Sequence, residues 1–367
     1  MRAISCAYFH PHNLRPMRSR PLLFVSLFFG LGCGSTAQQE KFIAAPIGFY
    51  NIENLYDTID SPNTDDAEFL PGSAKQWNSA RYFHKIGKMG QVISELGKDV
   101  HPDGVHIMGL AEIENRSVLE DLVKAPAIAD RHYGIVHEDS PDRRGVDVGM
   151  LYDPRYFRVL GHKSYRLEDP ADTAFRTRSQ LLVSGILEQD TVHVIVAHWP
   201  SRRGGEKRSM PKRMLAAKLG RHIIDSLLER NADARIIYMG DLNDDPVDKS
   251  IRGGLRAVDD KEAAKNKLLF APMGPLFAKG IGSLAWRDSW NLFDQIILSP
   301  GLAQRTDDAY RFYGARVYNE AYLKTPDGNF AGYPFRTFVG DTFMDGWSDH
   351  FPVFVILVRP MKEGGTP

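Results

Sequence analysis

A single α/β domain, holding one mixed sheet or two packed sheets, is the architecture this sequence predicts. Three observations carry it. Short apolar runs bounded by polar or turn-forming residues recur along the chain, several adjoin one another in sequence, and amphipathic helical patterns lie between others. No internal repeat is visible, and no Pro/Gly/Ser-rich linker divides residues 38–367, so one domain accounts for the 367-residue chain.

The elements follow in order. Residues 47–52 read as a first strand that ends in polar Asn51 and Glu53. Residues 57–72, rich in Asp, Pro, Ser and Asn, read as a loop. Tyr82, Ile86, Met89, Ile93 and Leu96 recur at helical spacing. Residues 104–110 form a buried strand with Glu112 at its exit, and Asn115 caps a short helix through Leu122. Residues 146–152 form another strand. Residues 180–188 and 191–197 predict a hairpin turning at Gln189-Asp190. Ser209 is expected to cap a helix with Pro211 in its first turn, running to about Leu228. Residues 235–239 are a strand that runs into Gly240-Asp241-Leu242-Asn243-Asp244-Asp245-Pro246, followed by a less regular stretch. Residues 293–298 and 351–358 are the last two strands.

The N-terminus has the pattern of a leader. Arg2, Arg15, Arg18 and Arg20 precede an apolar stretch, residues 21–31, and then small residues ending in Ser35-Thr36-Ala37. A basic segment, a short apolar segment and a small-x-small site describe a secretory signal peptide, here residues 1–37. The apolar stretch is too short to span a bilayer. The predicted product is a secreted or periplasmic monomer without an integral membrane segment. Leu31-Gly32-Cys33 offers a second reading, a lipoprotein anchored at Cys33. Cys6 and Cys33 are the only cysteines, so residues 38–367 contain neither a disulfide nor a cysteine ligand for zinc.

The whole chain balances 46 basic against 46 acidic residues. Removing the leader's four arginines leaves 42 against 46, so a general basic footprint for nucleic acid is absent and any polyanion contact must be local. One local cluster exists. Arg202, Arg203, Lys207, Arg208, Lys212 and Arg213 follow His198, and Arg143 and Arg144 precede the 146–152 strand. Such clusters hold phosphates; a solvated loop and helix start is the alternative.

Titratable groups gather at strand exits. Asp241 and Asn243 stand two apart after one strand, His198 ends another, and Ser348-Asp349-His350 abuts the last. Hard oxygen donors and histidines at several exits suit metal-assisted hydrolysis. Asp244 and Asp245 read as turn residues, and Glu114 as exposed or capping. His106 and His193 read as structural, and Trp199 as a packing residue.

The segments Tyr50-Asn51-Ile52-Glu53-Asn54, Ala111-Glu112, His198-Trp199-Pro200, Gly240-Asp241-Leu242-Asn243, Phe293-Asp294-Gln295-Ile296 and Ser348-Asp349-His350 occur in an order that resembles the endonuclease/exonuclease/phosphatase superfamily, with its deoxyribonuclease I-like fold. The longer stretches 49–57 and 198–202 resemble a bacterial secreted branch of it. The resemblance covers about residues 42–358. It implies a four-layer α/β sandwich, two packed mixed β-sheets flanked by helices, and metal-dependent hydrolysis of a phosphoester with Mg²⁺ or Mn²⁺, or Ca²⁺.

By the same resemblance, Glu112 is the principal metal ligand, with Asn51 and Asp349 beside it. Asp241 orients or deprotonates the attacking water, and Asn243 donates to a phosphate oxygen. His350 contacts the phosphate or transfers a proton, with Asp294 orienting it. His198 protonates the leaving group, with Asp147 as its candidate acid partner. Arg144, Arg202 and Arg203 are the expected substrate contacts. A nuclease is the first reading of the substrate. A phosphatase or a phospholipid or sphingomyelin phosphodiesterase is the alternative, and a non-catalytic binding protein on the same scaffold is a third.

Overall fold

The computed structural model describes residues 41–62, 64–304 and 308–361. The expected signal peptide and Cys33 lie outside the described residues. The strands are β1 (Phe42–Leu55), β2 (Ile107–Ile113), β3 (Gly134–His137), β4 (Asp147–Tyr152), β5 (Phe157–Tyr165), β6 (Gln180–Leu187), β7 (Asp190–His198), β8 (Arg235–Asp241), β9 (Ala257–Val258), β10 (Leu269–Phe270), β11 (Leu284–Trp286), β12 (Ser289–Asn291), β13 (Asp294–Leu298), β14 (Arg311–Val317), β15 (Phe338–Val339), β16 (Thr342–Phe343) and β17 (Val353–Pro360). The main helices are α1 (Ser79–Glu95), α2 (Arg116–Leu122) and α3 (Glu206–Arg230).

One sheet has the order β14-β17-β1-β2-β4-β3 and the other β5-β6-β7-β8-β13-β10-β9. Both are mixed: β1 and β2 are parallel, as are β7 and β8, while most other neighbours are antiparallel. Strand side chains alternate between faces, and here the alternation sorts each strand between two cores. Ile47 and Phe49 of β1, Val194 and Val196 of β7, Ile237 and Met239 of β8, and Val353 and Val355 of β17 share the core between the sheets. Tyr50 and Ile52 turn outward onto α1 and α2. Ile195, Ile236 and Tyr238 turn outward onto α3. The result is four layers, as the resemblance implied.

The sheets approach closely where Gly109 faces the gap. A Cβ on Gly109 of β2 would meet the Met239 sulfur at 2.5 Å. A Cβ on Gly240 would meet the Ala197 carbonyl oxygen at 2.0 Å, so β7 and β8 can lie together at this step only without a side chain there.

Three elements differ from expectation. β1 is longer than residues 47–52 because its first residues pair with the C-terminal half of β17. Helix α3 begins at Glu206 rather than Ser209, because Gly205, at φ 107°, makes the turn into it. Ser209 therefore lies inside, its hydroxyl bonded to the Gly205 carbonyl, and Pro211 falls beyond the first turn. Glu114 is buried, not exposed. Its carboxylate accepts from the Asp57 N–H and the Ser61 hydroxyl, and it holds the 57–61 loop.

His106 is structural as expected. Its ring stacks on Tyr156 with centroids 3.8 Å apart, and burial, reinforced by His101, lowers its pKa to about 3. The unfolded chain binds a proton there near pH 6.5 and the folded protein does not. This contribution therefore weakens folding as pH falls from 6.5 toward 3, by up to about 1.4 kcal/mol per pH unit. His106→Phe should flatten the acid side of the stability curve, measured by urea unfolding between pH 4 and 7; parallel curves for the two proteins would contradict this.

Candidate active site

The alternation that builds the central core also builds the site. His198, Asp241 and Asp294 stand on adjacent strands in direct register, His198 opposite Asp241 and Asp294 opposite Asp241. Each continues the series that faces the other sheet, so three titratable groups meet at one end of the gap. Asn51 continues the corresponding series of β1 from across it. Its amide donates to Asp241 Oδ2 at 3.0 Å, a direct link between the sheets.

Glu112 reaches this end through a bulge. Ala111 pairs with Val148 and Ile113 with Asp147, so Glu112 is an extra residue that β4 does not match. By strict alternation it would point with Met108 and Leu110 into the helical layer. The bulge, with Glu112 at φ 62°, breaks that phase. Its Oε2 accepts from the Asn54 N–H at 3.0 Å, and Glu53 and Asn54 are themselves left-handed at φ 49° and 51°. Asn243 is left-handed as well, at φ 51°. Backbone strain thus concentrates at three of the strand exits.

His350 enters on the turn before β17. Its backbone N–H donates to the Ser348 hydroxyl, which donates to the Asn51 carbonyl. Its Nδ1 lies 2.6 Å from Asp294 Oδ2, the orienting pair that the resemblance implied. Its Nε2 then points toward Asp241 Oδ2, 3.9 Å away. Burial opposes charge on this ring, but Asp294, Asp349 and Asp241 outweigh it, and the pKa of His350 is raised well above the ordinary range. Asp241 is pushed up to about 7 by burial and by Asp294, against the pull of His350.

His198 behaves oppositely. Its Nε2 lies 3.5 Å from Asp241 Oδ2 and 3.9 Å from Glu112 Oε1. Burial, Arg178, Arg144 and His350 together hold its pKa well below the ordinary value. Its ring is thereby held toward the neutral form in the substrate-free protein.

Asp147 is not its partner. That carboxylate lies 3.0 Å from His137 Nε2 and accepts from Ser140. β4 starts at Asp147 on the far side of the Glu112 bulge and turns it toward β3. Among the described residues, His198 Nδ1 has no hydrogen-bond partner.

Arg202 is also corrected. Its guanidinium bonds the Asn243 carbonyl, Asp244 and Asp248 and lies over the Phe293 ring, so it clamps the loop after β8. Lys212 is engaged by Asp169, and buried Arg213 by Asp244. Of the expected substrate contacts, Arg203 is on the surface, and Arg144 acts electrostatically on Glu112 and His198. Asp244 and Asp245, read as turn residues, are buried tertiary anchors: Asp245 accepts from the Leu292 N–H and the Asn291 amide, and Asp244 accepts from the Ser250 hydroxyl and pairs with Arg213. Trp199 packs, its indole N–H donating to the Tyr238 hydroxyl.

The residues present fit a divalent cation. Among the described residues Glu112 has no lysine or arginine at ion-pair distance, and the nearby imidazole of His198 is neutral. The Glu112 Oε1 lies 3.9 Å from His198 Nε2, itself 3.5 Å from Asp241 Oδ2, and Ala111, the neighbour of Glu112 in the chain, pairs with Asn51, so oxygen donors suited to Mg²⁺, Mn²⁺ or Ca²⁺ gather at this end of the gap. Asp349 is less free than expected, because Arg336 takes its Oδ2 at 2.5 Å.

The profile of the Endonuclease/Exonuclease/phosphatase family matches residues 46–359. The chain belongs to that family. Every group in the pocket just described falls within the matched span, and the family's fold agrees with solved structures. A family protein from Bacteroides thetaiotaomicron aligns with a TM-score of 0.52 at 16% identity, over 88% of this chain and 100% of that one. A mannosyl-6-phosphatase from the same organism gives 0.51 at 17% identity, over 85% and 99%. Truncated TDP2 from Caenorhabditis elegans gives 0.50 at 13% identity, over 86% and 97%. No curated protein matches the sequence.

Several residues of this family member's site were not legible in the sequence. Glu53 is buried, accepts from the Thr337 N–H, and is raised to about 7 by burial and Asp349. The Lys85 ammonium donates to the Glu53 carbonyl and the Thr337 hydroxyl. Only Glu53, two residues after Asn51, carried a signal. Arg336 and Arg178 lie in segments whose path nothing local specifies.

Proposed function

We propose that this protein is a metal-dependent phosphoester hydrolase that uses water as its nucleophile. The observation that carries the proposal is the pairing of opposite tendencies within 4 Å of one another. Asp241 is a carboxylate whose proton affinity is raised, and His350 is an imidazole held protonated by Asp294.

Asp241 accepts the proton of an attacking water. Asn243 keeps Asp241 in place, its N–H donating to Oδ1 at 3.0 Å, and its side-chain amide, now on the Trp199 carbonyl, is the donor we assign to a phosphoryl oxygen. His350 holds the proton that the departing oxygen needs. His198 serves as a neutral N–H donor to phosphoryl oxygen. Glu112 and Asn51 would hold the cation, which supplies charge neutralisation at the phosphorus oxygens when bound.

Nucleic acid was the first substrate expected from the sequence. Three of the six basic side chains after His198, namely Arg202, Lys212 and Arg213, are engaged within the protein, which weakens the support for a long polyanion and leads us to favour a compact phosphoester. A panel of DNA, RNA, sphingomyelin, sugar phosphates and inositol phosphates tests this directly, and turnover confined to DNA or RNA would reverse the preference.

Glu112→Gln tests the metal assignment. Titration calorimetry with Mn²⁺ should give at least a tenfold weaker affinity with the fold intact by circular dichroism; an unchanged isotherm would move the metal elsewhere.

We further propose that the protein is exported after removal of residues 1–37, on the strength of the basic-then-apolar leader. Mass spectrometry of the mature N-terminus should find Gln38 first. A lipid-modified Cys33 would replace this reading with the anchored one.

A further inference from the structure

The Trp199 carbonyl oxygen, just past the end of β7, accepts two hydrogen bonds. One comes from the Asn243 side-chain amide at 3.1 Å, the other from Arg178 Nη2 at 2.5 Å. Trp199 is buried, so this oxygen depends on protein donors.

Arg178 is held in place from two sides. It lies two residues before β6, beside the strand whose exit it grips. Its Nη1 donates to Asp142 Oδ2 at 3.0 Å, and Asp142 belongs to the loop that leads into β4 of the other sheet. Its Nε is sealed from solvent. The guanidinium therefore has no open face to offer a substrate.

Asn243 is pinned through its backbone instead. Its N–H is on Asp241 and its carbonyl on Arg202, which leaves the side-chain amide as the part that can turn. Turning to a phosphoryl oxygen withdraws one donor from the Trp199 carbonyl. A buried carbonyl left with no donor is costly, whereas one that keeps a charged donor is not.

We propose that Arg178 is a positioning residue, which holds the Trp199 carbonyl so that the Asn243 amide can exchange that carbonyl for a phosphoryl oxygen. The inference rests on the hydrolase reading of the site and on the part Asn243 plays in it. Arg178 acts through Asn243 and touches no reacting atom.

The test is a double-mutant cycle on the full chain loaded with Mn²⁺. Arg178→Met combined with Asp142→Asn removes the buried pair without leaving one charge alone. These two changes should lower kcat/KM for bis(p-nitrophenyl) phosphate about tenfold. In an Asn243→Ala background they should alter it less than twofold, because the amide they serve is gone. Arg178→Lys retains the charge beside Asp142 but lacks the planar fork that serves two acceptors. It should give a smaller loss that also disappears with Asn243→Ala, and it carries the test where the Met–Asn variant does not fold by circular dichroism. Calorimetry with inorganic phosphate should show the same dependence without turnover.

Equal losses in both backgrounds would make Arg178 a structural residue or a direct phosphate ligand. That result, or no loss in either background, would overturn the inference and leave the hydrolase reading standing. Phosphate binding with the expected dependence, in a wild type that hydrolyses no phosphoester, would sustain the exchange and overturn the hydrolase reading instead.

Discussion

Asp241→Asn should lower turnover of an aryl phosphodiester by about a thousandfold, the range over which a positioned base contributes. The substitution preserves shape. The new residue's single amide oxygen keeps one of the two bonds that the carboxylate accepts, from the Asn51 amide at Oδ2 or from the Asn243 N–H at Oδ1. What is lost is the capacity to take a proton from water.

The same variant should be more stable at alkaline pH. The folded pKa of Asp241, about 7, lies above its ordinary 3.8, so the folded protein binds this proton more tightly than the unfolded chain. That stabilisation is fully present below about pH 4 and is lost as pH rises through 7. Above pH 7 the buried anion is a liability that asparagine removes. Thermal melts at pH 8 should place Asp241→Asn at or above wild type, with kcat collapsed. A variant that melts far below wild type would mean the carboxylate is structural.

Asp294→Asn is expected to act through His350. Asp294 is fully buried, and its Oδ2 accepts from the Ser283 hydroxyl as well as facing the His350 ring. Removing its charge takes away the largest attraction that keeps the imidazole protonated and leaves burial to lower its pKa. The expected pH–rate profile of wild type rises as Asp241 loses its proton and falls where His350 loses its own. In Asp294→Asn the falling limb should move to lower pH, and the maximal rate should drop by about a hundredfold to a thousandfold. A lowered rate with the falling limb unmoved would assign Asp294 to packing alone. Single-turnover measurements between pH 5 and 10 separate the two outcomes.

Much of the centre was legible because the chemistry sits at strand ends. Asn51, His198, Asp241 and Asp294 each extend a period-two apolar run, and that run specifies both the face and the end of the sheet on which they emerge. Glu112 was identified as a ligand by resemblance, yet simple alternation would have placed it wrongly; a bulge leaves no mark in a single sequence.

The failures have a common cause. Asp147 was assigned by resemblance, Arg202 and the basic run by charge and nearness to His198, and charged side chains choose partners through tertiary contacts. Asp147 found His137, Arg202 found Asp244 and Asp248, and Lys212 found Asp169. Arg336 and Lys75 lie in loops and reach the rim of the centre only because β15 and β16 and the 65–78 segment pack together, a matter of long-range folding.

The Asn51–Asp241 hydrogen bond has a consequence of its own. In the proposed mechanism the candidate metal ligands Asn51 and Glu112 belong to one sheet and the candidate base Asp241 to the other, so neither half of the molecule owns the reaction. Alignment of two slabs that touch mainly through greasy, directionless contacts decides whether the chemistry is assembled. A slip of a single ångström at Met239 or Phe49, deep in the seam and far from any substrate, would separate ligand from base while every helix and strand stayed intact. Activity is therefore a finer gauge of sheet alignment than any melting curve, and it should fade under mild heat or pressure before the fold gives way.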